Sequence, residues 1–63
     1  MLVRELEHNK LVRVKETHPS RPLRGAGGFI EDFRRQPSGW IAVRVDLPGI
    51  GRRTFHPAQL EAT

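Results

Sequence analysis

Arginine is the side chain in this sequence best suited to bind a ligand through charge. The 63 residues include 11 Lys and Arg against 7 Asp and Glu, which gives a net charge of +4 with the histidines neutral. Only Lys10 and Lys15 are lysine, so nine of the eleven are arginine. Guanidinium groups stay charged and bond phosphate bidentately. The surplus therefore favours a polyanionic partner, nucleic acid (RNA or DNA) first, although a solvated basic surface has the same composition.

The candidate nucleic-acid-binding residues are basic side chains on strands and in one long loop, together with the single tryptophan. Alternation sends the basic residues of the first and third strands to the side opposite the buried valines, where they form one patch or two. Trp40 offers a flat surface on which an unpaired base can stack, or alternatively it packs on the outer wall of the fold. The predicted set is Arg13, Lys15, Arg21, Arg24, Trp40, Arg44, Arg52 and Arg53.

Catalytic and metal chemistry find little support among the remaining side chains. His8, His18 and His56 share no ligand spacing and have no cysteine partners, so we expect no zinc site. Glu31 and Asp32 are a carboxylate pair, but neighbours in a regular strand point to opposite faces and cannot share one site. We therefore expect a protein that binds without catalysing, with no metal and no cofactor.

The most strongly patterned stretch is residues 40–47, in which large aliphatic side chains occupy every second position and alternate with Trp40, Ala42, Arg44 and Asp46. Ile41, Val43, Val45 and Leu47 fall on one face, and this is the period of a half-buried strand. Proline and glycine at positions 48 and 49 then supply turn chemistry. The sequence predicts a β-hairpin that closes near Asp46 and returns as a strand over residues 52–56.

Shorter patterns predict three further strands around this hairpin. Residues 10–15 alternate with Val12 and Val14 inward, residues 28–34 form a second strand with Ile30 inward, and residues 60–62 form the last. Two prolines and several glycines make residues 16–27 an irregular loop. Phe29 and Phe33 do not share a face with Ile30 in a regular strand, so we expect either a bulge near position 28 or an exposed aromatic ring.

The chain is predicted to be one all-β domain, residues 1–63, with a short 3-10 turn at residues 57–59 before the last strand. Residues 1–9 form an N-terminal extension that could be helix or edge strand. Cysteine is absent, no apolar run approaches the roughly 20 residues that span a bilayer, and residues 1–5 do not resemble a signal peptide. We expect a soluble cytoplasmic protein with no membrane contact.

This layout resembles an SH3-like barrel with five strands. The resemblance rests on four stretches, which are residues 11–14, 24–30, 41–45 and 56–61. Within that class the chain looks most like a KOW-type domain, whose mark is a hydrophobic–glycine–hydrophobic run in the early strands. In that family the barrel contacts RNA, DNA or the translation and transcription machinery, so the resemblance implies nucleic-acid binding.

A second resemblance is to the plasmid-borne type of dihydrofolate reductase, another small SH3-like barrel. Its pore is lined by a Val-Gln-Ile-Tyr motif, and the matching residues 53–56 of this chain read Arg-Thr-Phe-His. The glutamine and the tyrosine are missing, so a small-barrel reductase is only a remote alternative. The nearer alternative is a protein-interaction or self-assembling module, because edge strands accept partner strands and an exposed phenylalanine would serve such a contact.

Overall fold

The protein folds as five antiparallel strands in one sheet, joined by turns and three short 3-10 segments, as seen in a computed structural model that describes residues 1–63. The strands are β1 Leu11–Val14, β2 Gly27–Arg35, β3 Ile41–Leu47, β4 Gly51–Phe55 and β5 Leu60–Ala62, and the 3-10 segments are Val3–Glu5, Arg21–Leu23 and Pro57–Gln59. The prediction of an all-β fold of five strands with a 3-10 turn before the last strand is confirmed.

The order of the strands across the sheet is β4-β3-β2-β1-β5. The first four strands form a meander, and β5 returns to pair with β1, opposing Arg13 with Glu61 and Val14 with Leu60. The two ends of this order, β4 and β5, do not pair with each other. Closure of the sheet into a barrel therefore stays a prediction.

The core lies on the face that the alternating pattern predicted. Val12 and Val14 of β1 and Val43 and Val45 of β3 are fully buried, while Arg13 and Arg44 between them are exposed. The complete buried apolar set is Leu6, Val12, Val14, Ile30, Val43, Val45, Leu47, Phe55 and Leu60. We call the side of the sheet that carries these residues the core face and the opposite side the outer face.

A β-bulge in β2 resolves the conflict between its apolar residues. The register with β3 shifts between Ile30, which opposes Val45, and Asp32, which opposes Arg44. The extra residue inverts the alternation, so Phe33 comes to oppose the buried Val43 and packs against the core. Phe29, before the bulge, stays 48% exposed. The bulge and the exposed aromatic ring, which the sequence predicts as alternatives, therefore both occur. The bulge lies three residues beyond the predicted position.

The same bulge makes the prediction for the carboxylate pair wrong. Strict alternation would put Glu31 and Asp32 on opposite faces, but Asp32 directly opposes Arg44 and the Glu31 carboxylate reaches the same arginine. A residue pair at a bulge faces one partner residue across the ladder, so both carboxylates lie on the outer face.

The two segments that the sequence left irregular cover the core. In the N-terminal extension, the segment Val3–Glu5 leads to Leu6, which is buried, and Asn9 turns the chain with a φ of 66°. In the loop between β1 and β2, Leu23 packs against the core as its one large apolar residue. These segments supply apolar surface that the short strands alone do not provide.

Candidate nucleic-acid interface

The basic residues fall into two classes, those that form an ion pair with a carboxylate and those that do not. Arg13 Nε lies 3.1 Å from Glu61 Oε1, across the β1–β5 ladder. The Glu31 carboxylate pairs with two arginines at once: Arg52 Nε lies 2.8 Å from Glu31 Oε2, and Arg44 Nη1 lies 4.0 Å from Glu31 Oε1. Three of the predicted binding residues are therefore already partly neutralised within the fold.

The outer face of β2, β3 and β4 carries a balanced set of charges. The bulge and the ladder registers bring three arginines and three acids onto this surface: Arg34, Arg44 and Arg52 with Glu31, Asp32 and Asp46. Side chains that oppose each other across an antiparallel ladder point to the same face, so Asp46 lies beside Arg52 on the outer face. This surface has no local positive surplus.

The predicted strand patch is divided by the order of the strands. Arg13 on β1 is separated from Arg44 on β3 by the whole of β2, which corresponds to roughly 10 Å across two strand spacings. Lys15 follows β1 on the Arg13 side and has no carboxylate within ion-pair distance. The structure thus brings Arg44 and Arg52 together, and places Arg13 and Lys15 elsewhere.

Arg52 and Arg53, which are adjacent in the sequence, lie on opposite faces of β4. Arg52 opposes the outward Asp46, whereas Arg53 opposes the buried Val45. Since β4 is an end strand of the sheet, Arg53 on the core-face side remains exposed. Its Nη1 donates a hydrogen bond to the Arg52 carbonyl oxygen at 2.9 Å, and no carboxylate pairs with it.

The loop between β1 and β2 carries two more unpaired arginines, Arg21 and Arg24. Arg24 Nε donates to the His18 carbonyl oxygen at 2.6 Å, and the His18 ring lies edge-on to the Phe55 ring with centroids 5.4 Å apart. Phe55 is two residues from Arg53 on the same face of β4, about 6.6 Å along a strand. Arg21 begins the 3-10 segment of this loop and is exposed.

We call Arg21, Arg24 and Arg53 the loop–edge cluster. None of the three makes an ion pair, and all three are exposed. Their guanidinium groups hydrogen-bond only to backbone carbonyl oxygens where they bond at all, so the full positive charge faces solvent. This is the arrangement that can take phosphate oxygens without first displacing a carboxylate.

Trp40 lies apart from these arginines, in a groove with the N-terminal segment. It is 41% exposed, and its ring stacks on His56 with an interplanar angle of 9°. Arg35 also lines this groove, on the core-face side beside Ile41, which it opposes. Arg35 was not among the predicted binding residues, because only the bulge in β2 puts it on this face.

No group of three or more His, Asp or Glu side chains is placed to hold a metal ion. No helix in the structure is long and apolar enough to span a membrane. Comparison with protein-family models, with curated proteins and with solved structures finds no match to this chain.

Proposed function

We propose that the protein is a non-catalytic nucleic-acid-binding domain that contacts phosphates through the loop–edge cluster. One observation carries the proposal: these three arginines are exposed and make no ion pair, while the arginines of the outer face are paired. Arginine binds phosphate with its planar fork of donors and pays little desolvation when the site is already exposed. Long-range attraction by the net charge of +4 adds to these contacts.

The layout of the strands supports the resemblance to SH3-like barrels on which the sequence-based expectation rested. Five short strands, a long loop after β1 and a 3-10 turn immediately before β5 are the features on which the resemblance rests, and all three are present. A fold of this kind hosts many functions, so nucleic-acid binding is inferred from the unpaired positive charges and not from the topology.

The proposal is tested by titrating labelled RNA, single-stranded DNA and duplex DNA with the protein at several salt concentrations. Each phosphate contact releases counterions, so the logarithm of the binding constant should fall with the logarithm of salt by about 0.7 to 0.9 per contact. Three contacts predict a slope of about −2 to −3 on this scale. Binding that does not depend on salt would point to an apolar interface instead.

A second candidate function is self-association through an exposed apolar pair on the outer face. Leu11 and Phe29 oppose each other across β1 and β2, and each is 48% exposed. A pair of this kind beside an end strand can meet its copy about a two-fold axis. If the protein self-associates, we expect this pair or an edge strand to form the contact and not the basic loop, since clustered arginines repel one another.

A further inference from the structure

The groove beside Trp40, the Trp40 groove, is the largest apolar hollow of the molecule. Its volume is about 350 Å³, which falls within the range of roughly 300–1,000 Å³ typical of ligand sites. One wall is the N-terminal segment, where Leu2 and Val3 are both more than half exposed. The opposite wall is Trp40 with His56 and the start of the 3-10 segment Pro57–Gln59.

The aromatic wall of the groove is held in place before any ligand binds. The His56 ring stacks on Trp40 with centroids 6.0 Å apart. Two hydrogen bonds hold His56 in place. Its ring Nδ1 accepts from the backbone N–H of Ala58 at 3.1 Å, and its backbone N–H donates to Gln59 Oε1 at 2.9 Å. A flat surface that is already ordered costs little conformational entropy when a ring stacks on it.

The charge of the groove restricts what can occupy it. No aspartate or glutamate lines it, and its one charged side chain is Arg35, which is exposed. Arg35 Nη1 donates to the Gly39 carbonyl oxygen at 3.2 Å, which holds the guanidinium beside Trp40. The surface therefore suits an occupant that combines a flat, weakly polar ring with an adjacent negative charge.

We propose that the Trp40 groove binds an unpaired nucleobase of single-stranded nucleic acid, with the base stacked on Trp40 and a neighbouring phosphate on Arg35. The inference rests on the proposed function, because the loop–edge cluster supplies the attraction that brings the strand to the protein. Aromatic stacking of unpaired bases is tolerant of sequence and is the recurrent mode of single-strand recognition. Bases inside a duplex are already stacked, so the groove selects single strands.

The composition of the chain provides a direct reporter for this site. Trp40 is the only tryptophan and there is no tyrosine, so fluorescence excited in tryptophan comes from the groove alone. We expect oligothymidylate to quench this fluorescence as it binds, and a duplex of the same length to bind with little quenching. Polyglutamate serves as the control for charge without rings, and equal quenching by it would overturn the inference.

Variants separate the groove from the phosphate contacts. Trp40→Leu should weaken single-strand binding, followed by anisotropy of a labelled oligonucleotide, by about 5- to 150-fold and leave duplex binding unchanged. Phe29→Leu removes an equally exposed ring outside the groove and should change neither. Arg35→Gln should flatten the single-strand salt slope by roughly one unit.

The possible failures of the two proposals differ. Equal binding of single strand and duplex, with Trp40 unquenched and Trp40→Leu without effect, would overturn the groove proposal and leave nucleic-acid binding intact. Absence of any binding would overturn both. Melting curves of the variants show whether a lost affinity reflects a lost fold, since Trp40→Leu and Phe29→Leu should melt close to the wild type.

Discussion

Glu31 of β2 reaches across β3 to hold Arg52 of β4, with Glu31 Oε2 and Arg52 Nε 2.8 Å apart. Glu31 follows the inward Ile30 and so points to the outer face, where Arg44 also approaches it at 4.0 Å. One acidic side chain thereby restrains two of the arginines that alternation alone would count as a free basic surface. The positions of the carboxylates, and not the number of arginines, therefore determine which positive charges are left without an ion-pair partner.

Glu31→Gln should release this pair of arginines and improve nucleic-acid binding. We expect the salt slope to steepen by about one to two units, as Arg44 and Arg52 become able to contact phosphate. The free energy of unfolding should change by less than about 1 kcal/mol, because the partners are more than half exposed and solvent screens the pair.

Glu7→Gln is the matched control for this change. Glu7 is exposed and makes no ion pair, so the substitution removes the same charge without releasing an arginine. Its salt slope should stay that of the wild type. Equal effects of the two substitutions would show that net charge alone governs binding and that the Glu31 contacts are irrelevant.

Gly28→Ala should destabilise the fold by about 1–3 kcal/mol, measured by denaturant unfolding. A Cβ at position 28 would collide with the Asp46 carbonyl oxygen and approach Leu47 Cδ2 to 3.0 Å, and the backbone of β3 cannot give way cheaply. Gly27→Ala is the control, since its Cβ would meet only the Val12 carbonyl oxygen at 3.8 Å. A Gly28→Ala protein as stable as Gly27→Ala would contradict this close approach of β2 to β3.

Val43→Ala should cost about 2–4 kcal/mol, a large share of the stability of so small a domain. Val43 is fully buried in the centre of the sheet, and truncation there leaves a cavity. Val3→Ala makes the same chemical change at a side chain that is 53% exposed and should be nearly neutral. Superimposable thermal melts of the two variants would mean that the faces of β3 are reversed.

The bulge in β2 predicts unequal costs for its two phenylalanines. Phe33→Ala should destabilise the protein by about 2–3 kcal/mol, because Phe33 packs against the core and lies edge-on to His8 with ring centroids 5.1 Å apart. Phe29→Ala should cost under about 1 kcal/mol, since its ring is nearly half exposed. Urea titrations of the two variants measure the difference, and a larger loss for Phe29→Ala would argue for a regular strand without the bulge.

Most of the fold could be predicted from sequence because strands with one buried face carry a period of two. That signal placed Val12, Val14 and Val43 correctly. Turn residues located the hairpin, whose ladder ends at Leu47 and Gly51, one pair beyond the closure predicted near Asp46. The bulge could not be placed, since an extra residue changes the alternation without leaving a signature of its own. The conflict between Ile30 and Phe33 was its only trace.

The candidate site was less predictable, because ion pairing is set by contacts distant in sequence. Arg13 and Glu61 meet only through the β1–β5 ladder. Arg35 joins the Trp40 groove only because the bulge shifts its face, and the N-terminal wall of the groove comes from a segment whose pattern is too short to classify. Residue types led to the proposed chemistry, and tertiary contacts decide which of those residues are free of carboxylate partners.

Phosphate binding by the loop–edge cluster is tested with two triple variants that remove the same charge, one from the unpaired arginines and one from the paired arginines. One replaces the loop–edge cluster with glutamine (R21Q, R24Q and R53Q), and the other replaces the paired arginines (R13Q, R44Q and R52Q). All six side chains are exposed, so both variants should fold, which thermal melting checks.

The measurement is the slope of single-strand affinity against salt for each triple variant and the wild type, beginning at about 50 mM salt where phosphate contacts are strongest. The loop–edge variant should lose about two to three units of slope, while the paired-arginine variant should stay within about one unit of the wild type. Equal losses in the two variants, a greater loss in the paired-arginine variant, or no binding by the wild type would show that the loop–edge cluster does not make the phosphate contacts.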